Sequence, residues 1–304
     1  MKAPRLFFSL ALLVSTVPRP PGEMVAIGSR KIHVQCMGNQ EPTVVFLSGV
    51  PRFSFHFALV EPEVAKFAHA CVYDRGGEAW SDPSPGPPAA ESTLDELDAV
   101  IGKVSSAGRV VLVGHSFGGV IGRAYQRKHP QRVAGLVLID SAHPDFSTMP
   151  VDGKQKKMSE MTADEIRAVA AQFKSRPRPP MPDPKMEPPF DRLPAALHPA
   201  HLWAMKKWQD DSRKIDLAAA LQFQADFYRA IQDASFGDLP LTVITRANSA
   251  DDAGAWVEQQ KQIAASSSRG TLLRAVGSGH DIELEQPDTV VMAIRMMVEK
   301  LAQR

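Results

Sequence analysis

Residues 110–130 read VVLVGHSFGGVIGRAYQRKHP: an apolar, β-branched run, then a small hydroxyl residue, Ser116, between glycines, then a helix-like stretch. An apolar run of this length bounded by glycine is a buried strand. Two glycines at its end add backbone entropy that folding must remove, and a plain strand-to-loop transition has no use for them. The pattern therefore predicts a strand that turns sharply into a helix, with Ser116 at the turn.

The same alternation runs along most of the chain. Strand-like segments are MVAIGS, KIHVQCM, TVVFLSG, ACVYDR, RVVLVGHS, VAGLVLID, LPLTVIT and TLLRAVGSG, most of them bounded by Gly, Pro, Asn or Asp. Helices are expected over residues 91–105, 117–128, 252–265 and 287–302, the last with Val290, Ile294, Met297 and Leu301 at helical spacing as a core-facing stripe. Alternating strands and helices predict an α/β fold with a mostly parallel sheet flanked by helices. Residues 145–235 interrupt the pattern: TADEIRAVAAQFKS is followed by RPRPPMPDPKMEPPFDRLP and a helical region rich in Trp, Phe and Met. This stretch is expected to be a helical lid inserted after strand six, dividing a core made of residues 24–144 and 236–304.

With 304 residues, 44% hydrophobic and 23% charged, the chain can bury a large core. Thirty-five Lys and Arg against 34 Asp and Glu leave a net charge of +1, and no basic stripe is interleaved with aromatics, so nucleic acid is not an expected partner. At the N-terminus Lys2 and Arg5 precede LFFSLALLV and then VPRPPG. That reads as a secretory signal over residues 1–23, too short to span a bilayer, and implies export to the periplasm or beyond. The alternative is a chain starting at Met24, which would be cytoplasmic. The two cysteines, Cys36 and Cys71, both fall in strand-like segments. They read as buried small apolar residues or, in an oxidising compartment, as a disulfide, and spacing does not choose between these.

GHSFG, residues 114–118, fits the GxSxG nucleophile elbow, in which a strand-to-helix turn holds a serine hydroxyl out at the carboxyl end of a sheet. Together with YDRGGEAWSDP, VLVGHSFGGVIGRAYQRKHPQRVAGLVLIDSAHPD and GSGHDIELEQPD, it resembles the α/β-hydrolase family of serine hydrolases. The resemblance runs from about residue 24 to the C-terminus and is narrower toward an often exported, esterase-like bacterial branch. It implies an eight-stranded sheet whose second and fourth strands are neighbours. These are the strands carrying Cys36 and Cys71, so it also implies a disulfide between them.

A serine hydroxyl is a weak nucleophile and needs a base. His280 lies on a loop after the last strand-like run, where the family keeps its catalytic histidine. His115 inside the elbow reads as a packing or backbone residue, and His143 as a neighbour of the acid. One oxyanion donor should be the backbone N–H of Phe117 and the second that of Val50, although many relatives have His-Gly where this chain has Ser48-Gly49. Asp74 and Arg75 are expected to organise the loop beside the site. Phe53, His56 and Trp203, with Trp208, are candidate pocket walls, and equally candidate core.

Most family members carry the triad acid after the strand that follows the lid, here LPLTVITRANSADD, which nominates Asp251 or Asp252. Asp140, ending VAGLVLID, is favoured instead, because a carboxylate closing an apolar strand needs a partner such as His280. Its bland role would be to tie down the loop through Ser141 and His143. The resemblance thus implies a serine hydrolase of carboxylic esters on small-molecule substrates. Neither a cofactor nor a metal is expected, since no phosphate loop and no metal-spaced cluster occurs. An amidase or peptidase, a C–C hydrolase and an acyltransferase use the same triad, and a ligand-binding protein could keep the fold without turnover. An aspartate at the elbow would have suggested a dehalogenase or epoxide hydrolase, and serine argues against both.

Overall fold

The computed structural model describes residues 17–174, 176, 179–247 and 254–303. Its strands are β1 (Glu23–Ile27), β2 (Arg30–Met37), β3 (Thr43–Leu47), β4 (His69–Tyr73), β5 (Val110–His115), β6 (Val133–Ile139), β7 (Thr148–Val151), β8 (Lys154–Lys157), β9 (Leu241–Ala247) and β10 (Gly270–Val276). Its α-helices are α1 (Glu61–Val64), α2 (Ala90–Val104), α3 (Phe117–Lys128), α4 (Ala163–Lys174), α5 (His198–Ser212), α6 (Leu217–Ile231), α7 (Ala255–Ala265), α8 (Ile282–Glu285) and α9 (Pro287–Ala302).

Eight strands form one sheet in the order β1-β2-β4-β3-β5-β6-β9-β10. The pairs β1·β2 and β2·β4 are antiparallel and the rest are parallel. The sheet is buried on both faces, which is why β5 is apolar at successive positions and does not alternate. Val110 and Leu112 enter the core under α2 and α3, whereas Val111 and Val113 enter the core under α9. There Val290, Ile294 and Met297 are fully buried, and Leu301 packs at the edge.

The chain between β6 and β9 holds α4, α5 and α6. It also holds a two-stranded ribbon, β7 paired with β8, where only helices were expected. The cause is local: Asp152 and Gly153 both have positive φ, 47° and 76°, and an Asp-Gly pair in that conformation closes a tight hairpin. Helix α6 packs on α3, while Leu193, Ala200 and Ala204 lie on Phe53 and Phe55.

Cys36 faces Cys71 directly across β2 and β4, and the two are joined as a disulfide. Residues 17–22, assigned on sequence to the leader, are tied to this core: Trp80 Nε1 donates to Pro18 O at 2.6 Å, and His33 Nε2 contacts Pro21 O. Residues 1–16, which include the apolar stretch LFFSLALLV, lie outside the described part. No helix among the described residues is long and apolar enough to cross a membrane.

Candidate active site

Strand register brings the site together. Leu47 pairs with Gly114 and His115 with Ile139, so the ends of β3, β5 and β6 stand level. Ser116 N donates to Ile139 O at 2.9 Å and Asp140 N to Ile244 O at 2.7 Å, carrying the ladder one residue past each strand. Ser48-Gly49, Ser116, Asp140 and Arg246 thereby form a row along the carboxyl edge of the sheet.

Ser116 has φ 52° and ψ −119°, a conformation L residues rarely adopt. Such strain costs on the order of 1–3 kcal/mol and persists only where the surroundings dictate it. Here they do, because both glycines of the GxSxG sequence are required by close approach. A Cβ on Gly118 would lie 2.0 Å from Leu47 O, and one on Gly114 would lie 2.6 Å from Gly119 Cα.

His280 Nδ1 lies 2.6 Å from Asp140 Oδ2. Asp140 is completely buried, whereas about a third of the His280 side chain, 35%, is exposed. Three further donors converge on the same carboxylate: Arg246 Nη1 at 2.6 Å, Trp256 Nε1 at 2.8 Å and Arg246 N–H at 3.2 Å. Burial alone would raise the Asp140 pKa, but the His280 hydrogen bond, the charges of His280 and Arg246 and the Trp256 N–H hold it below the ordinary value. Asp140 thus has partners on the incoming strand and helix. The Ser141 hydroxyl donates to Ser116 O at 3.2 Å, and His143 accepts from Asp145 N at 3.2 Å. Asp251 and Asp252 lie outside the described residues.

The loop after β3 is fixed from behind. Arg75 binds the carbonyls of Ser48 and Gly49, the latter at 2.7 Å, and Asp74 accepts from Ser54 N and His33 Nδ1, each at 2.8 Å. Val50 is 47% exposed, and the Phe117 ring is buried against Phe223, Phe227 and Tyr228 of α6. Phe53 and His56 are fully buried in an aromatic layer with Phe55, Phe190 and His201, where His56 Nε2 lies 3.1 Å from His201 Nδ1. Burial and the Arg52 charge push the His201 pKa down to about 4. Trp203 stacks near Trp80, with ring centres 5.6 Å apart, and Trp208 packs against the same cluster.

Sequence reasoning did not find Arg246 or Trp256. Arg246 carries one visible signal, standing at the end of the strand that usually precedes the family's acid. Trp256 carries none, since its contact depends on how α7 docks. Arg52, bound to Asp281 through two contacts at 2.5 and 2.9 Å, was also missed.

Fold and site define a layered α/β protein with a serine elbow and a paired histidine and carboxylate at the sheet's carboxyl edge. A model of the alpha/beta hydrolase family matches residues 44–293, and the chain belongs to that family. It is similar to a cis-3-alkyl-4-alkyloxetan-2-one decarboxylase of Shewanella oneidensis, 30% identical over 129 residues, which are 40% of each chain. The first curated relatives are matched over only 15% and 40% of their own lengths. Among solved structures, a thermophilic esterase from Thermogutta terrifontis matches with a TM-score of 0.61 at 19% identity, over 91% of this chain and 97% of that one. An epoxide hydrolase from Vigna radiata matches with a TM-score of 0.64 at 15% identity, over 91% and 97%. At these identities the structural matches speak to the fold.

Proposed function

We propose that the chain is a serine hydrolase cleaving carboxylic esters through an acyl-enzyme on Ser116. The observation that carries this reading is the 2.6 Å contact between His280 Nδ1 and buried Asp140, level with the Ser116 elbow. A carboxylate accepting from Nδ1–H leaves Nε2 unprotonated and free to act as base. Ser116 Oγ attacks the ester carbonyl carbon as His280 Nε2 takes the hydroxyl proton. The oxyanion is held by the N–H groups of Phe117 and Val50. Collapse breaks the C–O bond, the alcohol leaves with the proton from His280, and water repeats the sequence to release the acid. The segment between β6 and β9 acts as a lid and Trp203, half-buried, is the candidate pocket wall, whereas Phe53 and His56 belong to the aromatic core. Serine at the elbow supports this reading.

The test is a panel of chromogenic esters, amides and lactones offered to the purified protein and to Ser116→Ala. Ester turnover should fall at least a thousandfold in the variant. Esters hydrolysed equally well without the serine hydroxyl would defeat the assignment.

We propose further that the protein is exported, its leader ending before the residues tied to Trp80. The Cys36–Cys71 disulfide supports this, because such bonds persist in oxidising compartments. Protein from the periplasm, denatured without reductant, should resist alkylation at both cysteines; two free thiols would contradict it.

A further inference from the structure

Behind the Ser116 elbow lies a second pair that the reaction above does not use. His115 and Glu283 are 0% and 1% exposed, and His115 Nδ1 lies 3.1 Å from Glu283 Oε1. The two atoms are close but not aligned as a hydrogen bond as the side chains stand, and neither that nitrogen nor either Glu283 oxygen has a hydrogen-bond partner elsewhere among the described residues. On its other side, His115 Nε2 lies 3.0 Å from the backbone carbonyl of His280, and the two rings are 4.6 Å apart. A Cβ on Gly49 would sit 3.2 Å from His115 Nδ1 and 3.0 Å from Ser116 Cβ. One ring therefore touches the base's loop and the oxyanion loop and is the chain neighbour of the nucleophile.

The protons follow from the partners. A carbonyl only accepts, so His115 Nε2 must carry a hydrogen; in a neutral imidazole Nδ1 is then an acceptor, and the group facing it can hydrogen-bond to it only as a donor. A carboxylate cannot donate, and a carboxylic acid can. The alternative with the same number of protons is an imidazolium beside a carboxylate, and the surroundings oppose it. The charges facing Glu283 are the carboxylates of Asp281 and Asp140 and the guanidinium of Arg52, which is already bound by Asp281. A buried ion pair offsets its desolvation only when its remaining lone pairs are hydrogen-bonded, and among the described residues only Glu283's own backbone N–H assists its carboxylate, without a well-aligned bond to either oxygen. Burial raises the Glu283 pKa well above the usual carboxyl range, and burial with the His280 charge drives His115 down to about 3, so both directions favour the neutral pair.

We propose that Glu283 is a positioning residue: as an uncharged acid it donates a hydrogen bond to His115 Nδ1, fixing the Nε2–H tautomer that grips the His280 carbonyl and so sets the imidazole against Ser116. The kinetic consequence rests on His280 being the base of the proposed ester hydrolysis. The protonation state does not, and it can be read separately.

Isotope-edited infrared spectroscopy on protein carrying carboxyl-labelled glutamate supplies that reading. At about pH 7 any protonated fraction of Glu61 and Glu78, held up at about 8 and about 7, contributes to wild type and variant alike, so a protonated-carboxyl band that is present in wild type and disappears in Glu283→Gln belongs to Glu283. In kinetics, Glu283→Met fills the space without donating and should lower kcat about ten- to hundredfold with little change in KM, while Glu283→Gln, which can donate, should restore most of the loss. Identical spectra of wild type and Glu283→Gln at that pH would overturn the proposal, as would equal losses in the two variants. Should the wild type turn over no ester, the ester reading fails, and the infrared band still decides the proton on Glu283.

Discussion

A carboxylate at the end of an apolar strand is costly to bury, and Asp140 is buried completely. Four contacts from His280, Arg246 and Trp256 turn that cost into a fixed anion, at a φ of 42° that aspartate tolerates better than most residues. Glu61 shows what burial does with fewer donors. It is 2% exposed, accepts one hydrogen bond from Gln35 at 2.7 Å and leaves Oε1 without a partner among the described residues. Burial consequently raises its pKa from 4.5 to about 8 despite the Gln35 bond. In the unfolded chain the same group ionises near its ordinary value. Between those two pH values only the unfolded state loses the proton, so the stability Glu61 contributes is complete below pH 4.5 and is lost as pH rises to about 8. Glu61→Gln should therefore match wild type near pH 4 and exceed it near pH 8 by roughly 3–5 kcal/mol in denaturant unfolding. Equal stability differences at the two pH values would show that Glu61 ionises in the fold.

At the scale of elements, the turn from β5 into α3 depends on glycine for space more than for flexibility. Gly118→Ala would press Cβ against the backbone oxygens of Leu47 and Ser48, at 2.0 and 2.7 Å, so β3 must shift and carry the loop with Gly49 and Val50. Gly122→Ala, one turn along the same helix, meets the end of the Leu47 side chain at 3.2 Å, which can give way. Thermal unfolding should show Gly118→Ala destabilised by about 1–3 kcal/mol or more and Gly122→Ala much less; similar melting of both would show that the contact is not limiting. The eight sheet strands were legible in the sequence because each is a short apolar run bounded by breakers, and α3 and α9 because their apolar spacing is helical. The ribbon β7–β8 was equally legible from VDGK and was hidden by the helical character of the neighbouring TADEIRAVAAQFKS stretch. The donors to Asp140 were not legible: Arg246 and Trp256 reach it across 106 and 116 residues of sequence, through the pairing of β6 with β9 and the docking of α7.

Across the whole molecule, the register of four parallel strands does what no single segment can, setting Ser116, Asp140 and the loop of Arg75-bound carbonyls in one row. His280 enters that row from the loop after β10, and α5 and α6 lay aromatic side chains over it from the insertion. Sequence could nominate the serine and histidine because each sits in a local motif. It left the acid open between Asp140 and Asp251 or Asp252, since choosing requires knowing which strand end meets His280. The proposed triad stands on that choice. The most direct measurement is ester turnover by Asp140→Asn beside Asp251→Asn and Asp252→Asn, with folding verified for each by circular dichroism. Loss of the true acid is expected to cost roughly ten-thousand-fold, so Asp140→Asn should fall by about that factor while the other two stay near wild type. Near-normal turnover in Asp140→Asn, with collapse in either of the others, would contradict it.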